Sequence, residues 1–120
     1  MADNKLNEME IAIIDAVRQT QNEDGFAERF DIGKYCRTIY NDYDSPGPTL
    51  WTEATTRMYG DTMEGLVEKG YIAWRTYLLR IELTDQGKKY ITDNKAALDA
   101  IPKVEDNRQW FKKQNKRMML

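Results

Sequence analysis

Two short runs flank the middle of the chain and leave little freedom in how it folds. Leu66-Val67-Glu68-Lys69-Gly70-Tyr71-Ile72 reads as the end of an amphipathic helix, a glycine stop and the start of a strand. Leu83-Thr84-Asp85-Gln86-Gly87-Lys88-Lys89-Tyr90-Ile91 reads as the end of a strand and a helix opened by a threonine cap. Glycine suits the first position because it enters the left-handed region without steric cost, and threonine suits the second because its hydroxyl accepts a first-turn amide. Between them Tyr71 to Arg75 and Leu79 to Leu83 read as two strands joined across Thr76-Tyr77-Leu78. With Tyr77 and Leu78 at the tip, Ile72 faces Leu83 and Trp74 faces Ile81 on one side of the hairpin. Arg75 then stands opposite Arg80 on the other side.

Before this stretch the periodicity predicts three helices. The first spans about Lys5 to Thr20, with Leu6, Met9, Ile13 and Val17 on one stripe, widened by Ile14 and Ala16. Glu8, Asp15, Arg18 and Gln19 are expected on the opposite, solvated side, and Asn7 with Glu10 has capping-box spacing. Phe26-Ala27-Glu28-Arg29-Phe30 reads either as a brief strand or as the lead into the second helix. Asp31 is the expected cap of that helix, whose face is Ile32, Tyr35, Cys36 and Ile39. Cys36 on this stripe reads as a small buried hydrophobe rather than a reactive thiol. Asn41-Asp42-Tyr43-Asp44-Ser45-Pro46-Gly47-Pro48 is a loop, Tyr43 being a candidate to return to the core. The third helix should open near Thr49 or Thr52 and run to Lys69. Tyr59, Met63, Leu66 and Val67 mark its buried side, and a bend is plausible at Gly60 because each interior glycine costs about 1 kcal/mol relative to alanine.

After the hairpin, Thr84 should cap a fourth helix whose packed side carries Gly87, Tyr90, Ile91, Leu98 and Ile101. Pro102 interrupts it. A fifth helix is expected from about Val104, with Trp110, Phe111 and Met118 on its apolar side. The chain therefore divides into a domain over residues 1–101 and a basic helical tail over 102–120.

Composition removes several classes of function. The 120 residues include no histidine and a single cysteine, Cys36, so zinc sites of Cys and His, Ser-His-Asp and Cys-His machinery and an intrachain disulfide are all excluded. No glycine-rich phosphate loop, acidic cluster or long apolar run stands out, so neither an enzyme nor a membrane span is expected, and no cofactor or metal is implied. The opening residues lack the pattern of a secretory leader, and a lone thiol suits the reducing cytoplasm. The net charge of −2 is unevenly placed. Lys103, Arg108, Lys112, Lys113, Lys116 and Arg117 against Glu105 and Asp106 give the tail +4, leaving −6 on the first 102 residues. Such a tail suits an anionic partner.

The order of helix, glycine stop, hairpin and threonine-capped helix resembles the winged helix-turn-helix superfamily, loosely of the MarR or PadR kind, over about residues 5 to 101. The resemblance implies a mainly α fold with a small antiparallel β-hairpin (α+β), a winged helix-turn-helix with an additional C-terminal helix. It also implies a cytoplasmic DNA-binding transcription regulator acting as a homodimer on double-stranded DNA. The third helix would enter the major groove through Thr52, Glu53, Thr56, Arg57 and Gly60, and Arg75 and Arg80 would be wing contacts. The C-terminal segment would either supply the dimer contact through Trp110, Phe111 and Met118 or add phosphate contacts through Lys112, Lys113, Lys116 and Arg117.

A second reading, from another class, is a winged-helix module in an assembly or a phage protein that contacts other proteins and does not bind DNA. Thr49 to Lys69 carries Glu53, Asp61, Glu64 and Glu68 against Arg57 and Lys69, a net −2 where a DNA reader gains from cations. The wing tip, Tyr77-Leu78-Leu79, is apolar. In this reading Tyr77, Leu78, Trp110 and Phe111 meet the partner. A small-molecule pocket lined by Trp51, Trp74 and the tyrosines is a third possibility, although aromatics at core spacing are ordinarily core.

Overall fold

The computed structural model describes residues 5–39, 51–75 and 80–101. The tail beyond Ile101, the wing tip with Tyr77 and Leu78, and the loop with Tyr43 lie outside them. The described residues form a mainly helical fold with one small antiparallel sheet. In chain order the elements are α1 (Glu8–Thr20), β1 (Phe26–Glu28), α2 (Arg29–Ile39), α3 (Glu53–Lys69), β2 (Ile72–Arg75), β3 (Arg80–Leu83), α4 (Asp85–Asp93) and α5 (Lys95–Asp99). The strands lie in the order β1-β3-β2, with β3 central. No helix among the described residues is long and apolar enough to cross a membrane.

The hairpin register agrees with the sequence: Ile72 pairs with Leu83, Trp74 with Ile81 and Arg75 with Arg80. The ambiguous run at Phe26 serves as both of its alternatives. Phe26–Glu28 pairs with β3, placing Ala27 against Ile81, and the chain then turns straight into α2 at Arg29. Asp31 is therefore in the first helical turn, not at the cap as expected. An acid there still opposes the amide end of the helix dipole.

α1 is the helix on which the others pack. It touches α2, α3, α4, β1 and β3, and Met9, Glu10 and every residue from Ala12 to Val17 are buried. It begins at Glu8, later than the periodicity suggested, because Asn7 and Glu10 close a capping box. The Glu10 amide donates to Asn7 Oδ1 at 2.8 Å and the Asn7 amide to Glu10 Oε1 at 2.9 Å. The second Glu10 oxygen accepts the Lys69 ammonium, tying the end of α3 to the start of α1. The enclosure corrects one expectation. Asp15 does not face solvent; it is fully buried and takes hydrogen bonds from Arg18 Nε at 3.0 Å and from the Tyr35 hydroxyl at 3.0 Å. Arg18 also reaches Asp99 at 2.9 Å, so the network joins α1, α2 and α5.

α3 runs unbroken through Gly60 and buries Tyr59, Met63 and Leu66. It stops at Gly70, whose φ is +87°. The Tyr71 amide returns to Leu66 O at 3.0 Å and the Gly70 amide to Val67 O at 3.1 Å, a Schellman closure. Thr84 clasps this corner. Its amide donates to Tyr71 O at 3.1 Å, its hydroxyl to Gly70 O, and its oxygen accepts the Gly87 amide at 3.1 Å. The fourth helix is shorter than the periodicity implied. It ends at Asn94, whose side-chain amide donates to Tyr90 O at 2.8 Å, and α5 restarts at Lys95. Leu98 is still carried into the buried interior.

Candidate nucleic-acid interface

The outward side of α3 is the longest uncovered helix face among the described residues. Glu53, Ala54, Thr56, Arg57, Met58, Asp61, Glu64, Glu68 and Lys69 are exposed along it. Thr52 opens the helix with an extended backbone, φ −67° and ψ 164°, and its oxygen accepts the Thr55 amide at 3.2 Å. Its proton goes to Thr55 Oγ1 at 3.2 Å, and the Thr56 hydroxyl donates to Thr52 O at 3.0 Å. A hydroxyl has one proton to give, so neither threonine offers a phosphate a donor without first breaking a bond within the helix. Arg57 is exposed and makes no ion pair among the described residues. It lines a shallow hollow of about 370 Å³ with Ala54, Met58, Asp61 and Thr62. Gly60 is not bare: the Arg29 guanidinium lies 3.7 Å from where its β-carbon would stand.

The two wing arginines are adjacent but differently occupied. Arg75 forms a salt bridge with Glu82, which sits two residues beyond its ladder partner on β3. Arg80 lies over the Phe26 ring, 5.9 Å from its centroid. The structure thus relieves the expected Arg75–Arg80 repulsion with a carboxylate on one side and an aromatic face on the other. Lys112, Lys113, Trp110 and Phe111 belong to the segment outside the described residues, as do Tyr77 and Leu78.

Two further cations flank α3: Arg37, a neighbour the sequence pointed to, and Arg29, which it did not single out. Arg29 stacks over Trp74 with 5.6 Å between guanidinium and ring centroid, and Arg37 over Trp51 with 5.9 Å. Both arginines are half-buried and, among the described residues, neither has a carboxylate partner. Trp51 also packs on Tyr59, with ring centroids 5.3 Å apart, and the Tyr59 hydroxyl donates to Arg29 O at 3.3 Å. Burial pushes the Tyr59 phenol up, so it stays a neutral donor. The spacing of Arg29, Gly33 and Arg37 at four-residue steps was visible in the sequence. That the tryptophans would meet them was not.

Trp51 and Trp74 each carry an arginine over the ring, and neither lines the hollow beside Arg57. A cleft of about 470 Å³ forms elsewhere, between the start of α1 and α4, against Leu6, Ile11, Tyr71 and Tyr90. Burial also raises the Tyr90 phenol, and Tyr90 meets Tyr71 edge-on at 5.9 Å. Among the described residues no group of three or more His, Cys, Asp or Glu side chains could hold a metal ion. Comparison with known protein families, characterised proteins and solved structures found no match.

Proposed function

We propose that the chain is a winged-helix domain that binds double-stranded DNA and regulates transcription, with α3 entering the major groove and the β2–β3 hairpin lying along the backbone. The observation that carries the reading is the uncovered outer side of α3, joined through the Gly70 corner directly to the hairpin. The order α1-β1-α2-α3-β2-β3, with strands arranged β1-β3-β2, supports it. The carboxylates are weighted the same way: Glu64 and Glu68 lie in the second half of α3 and Asp61 at its middle, while Arg57 shares the first half with Glu53. A helix entering by its N-terminal half presents Ala54, Arg57 and Met58 to the groove, where an arginine can bond the O6 and N7 edge of guanine. Homodimerisation, with the segment beyond Ile101 supplying either the dimer contact or further phosphate contacts, completes the proposal.

The test is a mobility-shift titration against a random-sequence duplex at about 50 and 200 mM salt, with light scattering for mass. Binding that falls steeply with salt supports the reading. No retardation at the lower salt and micromolar protein removes it.

One feature favours the second reading, a module that contacts another protein. Phe30, at the start of α2, is 71% exposed, and Met58 on α3 is 38% exposed. Exposed apolar side chains suit a protein contact better than a phosphate contact. If the duplex is not retarded and a protein captured by the chain is released by Phe30→Ser or by polar residues at Tyr77 and Leu78, this reading replaces the first.

A further inference from the structure

We infer that Arg29 and Arg37, rather than the cations of α3 or of the wing, are the principal seats for the DNA backbone, each guanidinium held ready on an indole face. The inference rests on the DNA-binding reading and names the groups that supply its phosphate affinity.

Each arginine of the described residues has a distinct environment. Arg18 is consumed by Asp15 and Asp99, and Arg75 by Glu82. Arg57 is an exposed side chain with an entropic cost to bind, and Arg80, although it lies over the Phe26 ring, is exposed as well. Arg29 and Arg37 alone combine a half-buried stem, an indole under the guanidinium and, among the described residues, no carboxylate partner. An indole beneath each guanidinium, with Arg29 Nη2 beside Gly60 and Arg37 Nη1 beside Gly33, narrows the conformations open to the side chain. A fork already restricted in this way grips a phosphate at a lower ordering cost.

The placement matches the task. The two arginines are eight residues apart on α2, so at 1.5 Å per residue their α-carbons stand about 12 Å apart along the axis, close to the width of the major groove. One lies over Gly60 in the middle of α3 and the other beside Trp51 at its start. Backbone gripped at these two points brackets the N-terminal half of α3, the half that carries Arg57 and few acids. Glu64 and Glu68 then fall outside the gripped stretch, and neutralisation of the phosphates from α2 offsets the charge of Glu53 within it.

The experiment is the salt dependence of binding to one random-sequence duplex for the unsubstituted chain, Arg29→Ala/Arg37→Ala, Arg29→Lys/Arg37→Lys, and Lys88→Ala/Lys89→Ala, which removes equal charge from α4. The alanine pair should weaken binding by on the order of tenfold or more at about 0.1 M salt. It should also flatten the log–log salt slope by about 1.8, or 0.9 per lost phosphate contact. The lysine pair should keep the slope but bind more weakly, because charge is kept and the stacked fork is lost; the α4 pair should change the slope by less than half as much. Binding by the unsubstituted chain with an unchanged slope in the alanine pair, or an equal loss in the α4 pair, overturns the inference and leaves the functional reading standing. Should the alanine pair lose its fold by circular dichroism, the lysine pair decides, and affinity equal to the unsubstituted chain overturns it. No binding by the unsubstituted chain removes the functional reading and this inference together.

Discussion

The backbone of Gly87 lies so close to the carbonyl of Tyr71 that a β-carbon at position 87 would overlap the Tyr71 oxygen. That carbonyl also accepts the Thr84 amide, so it has no freedom to retreat. Gly87→Ala should therefore cost about 3 kcal/mol, the upper end for overpacking, even though alanine is the better helix former. Urea unfolding followed by tryptophan fluorescence measures it. A change below about 0.5 kcal/mol, the range of neutral surface substitutions, would show that the corner is softer than its geometry implies.

The Asp15 carboxylate is enclosed and holds Arg18 and the Tyr35 hydroxyl. Asp15→Ala leaves a largely buried guanidinium with only Asp99 and should destabilise by about 3 kcal/mol or more. Tyr35→Phe removes one hydrogen bond to the same carboxylate and should cost about 1–2 kcal/mol. Denaturant midpoints that rank the two the other way would mean that Asp15 is not the centre of the network.

These two sites mark the boundary of what the residues alone made legible. The Thr84–Gly87 corner, the Gly70 stop, the Asn7–Glu10 box and the Ile72/Leu83 register depend on neighbours in sequence or across one tight hairpin, so local stereochemistry specifies them. Asp15 was placed on the wrong side because the middle of α1, Ala12 to Val17, is enclosed all round, whereas Glu8 and Gln19 toward its ends are exposed as expected. The break at Asn94 was hidden because α5 keeps Leu98 in phase with α4, and the third strand, β1, was left open because three residues are too few to show alternation. Of the candidate site, Thr52 and Arg57 were placed on α3 as the pattern implied. The Arg29–Trp74 and Arg37–Trp51 stacks join residues 45 and 14 positions apart, a meeting that only the packed fold determines.

Hydrogen bonds from Lys95 and then Arg18 hold the Asp99 carboxyl below its ordinary value. A carboxyl lowered in the folded state adds stability above its unfolded pKa of about 4 and loses that contribution as pH falls through the folded value. Asp99→Asn removes the group, so its stability should fall less than the parent's on acidification below about pH 4. Urea midpoints for both chains at neutral and acidic pH test this; parallel curves would show that the carboxylate is not coupled to folding.

Burial, reinforced by the nearby Asp15 charge, pushes the Cys36 thiol well above its ordinary value. The thiolate is the reactive form, and the side chain is fully enclosed. Reaction with a disulfide reagent at about pH 8 should be slow in the native state, then complete within the mixing time in urea. Rapid native reaction would mean that α2 opens locally from α1, since the thiol is otherwise out of reach.

Glu82 occupies the guanidinium of Arg75, so under the proposed DNA-binding reading it should limit what the wing contributes. The pair is partly exposed, so its own stabilising effect is small and its replacement should leave the fold intact. Glu82→Gln keeps the shape and one acceptor but removes the charge that competes with phosphate. If the wing lies along the backbone, the variant should bind duplex DNA more tightly and with a salt slope steeper by about 0.9, one additional phosphate contact. In an Arg75→Ala background the same substitution should no longer steepen the slope, which separates release of Arg75 from a general loss of negative charge. Equal slopes for the parent and Glu82→Gln would place Arg75 off the backbone and leave the wing to orient α3 without gripping the duplex itself.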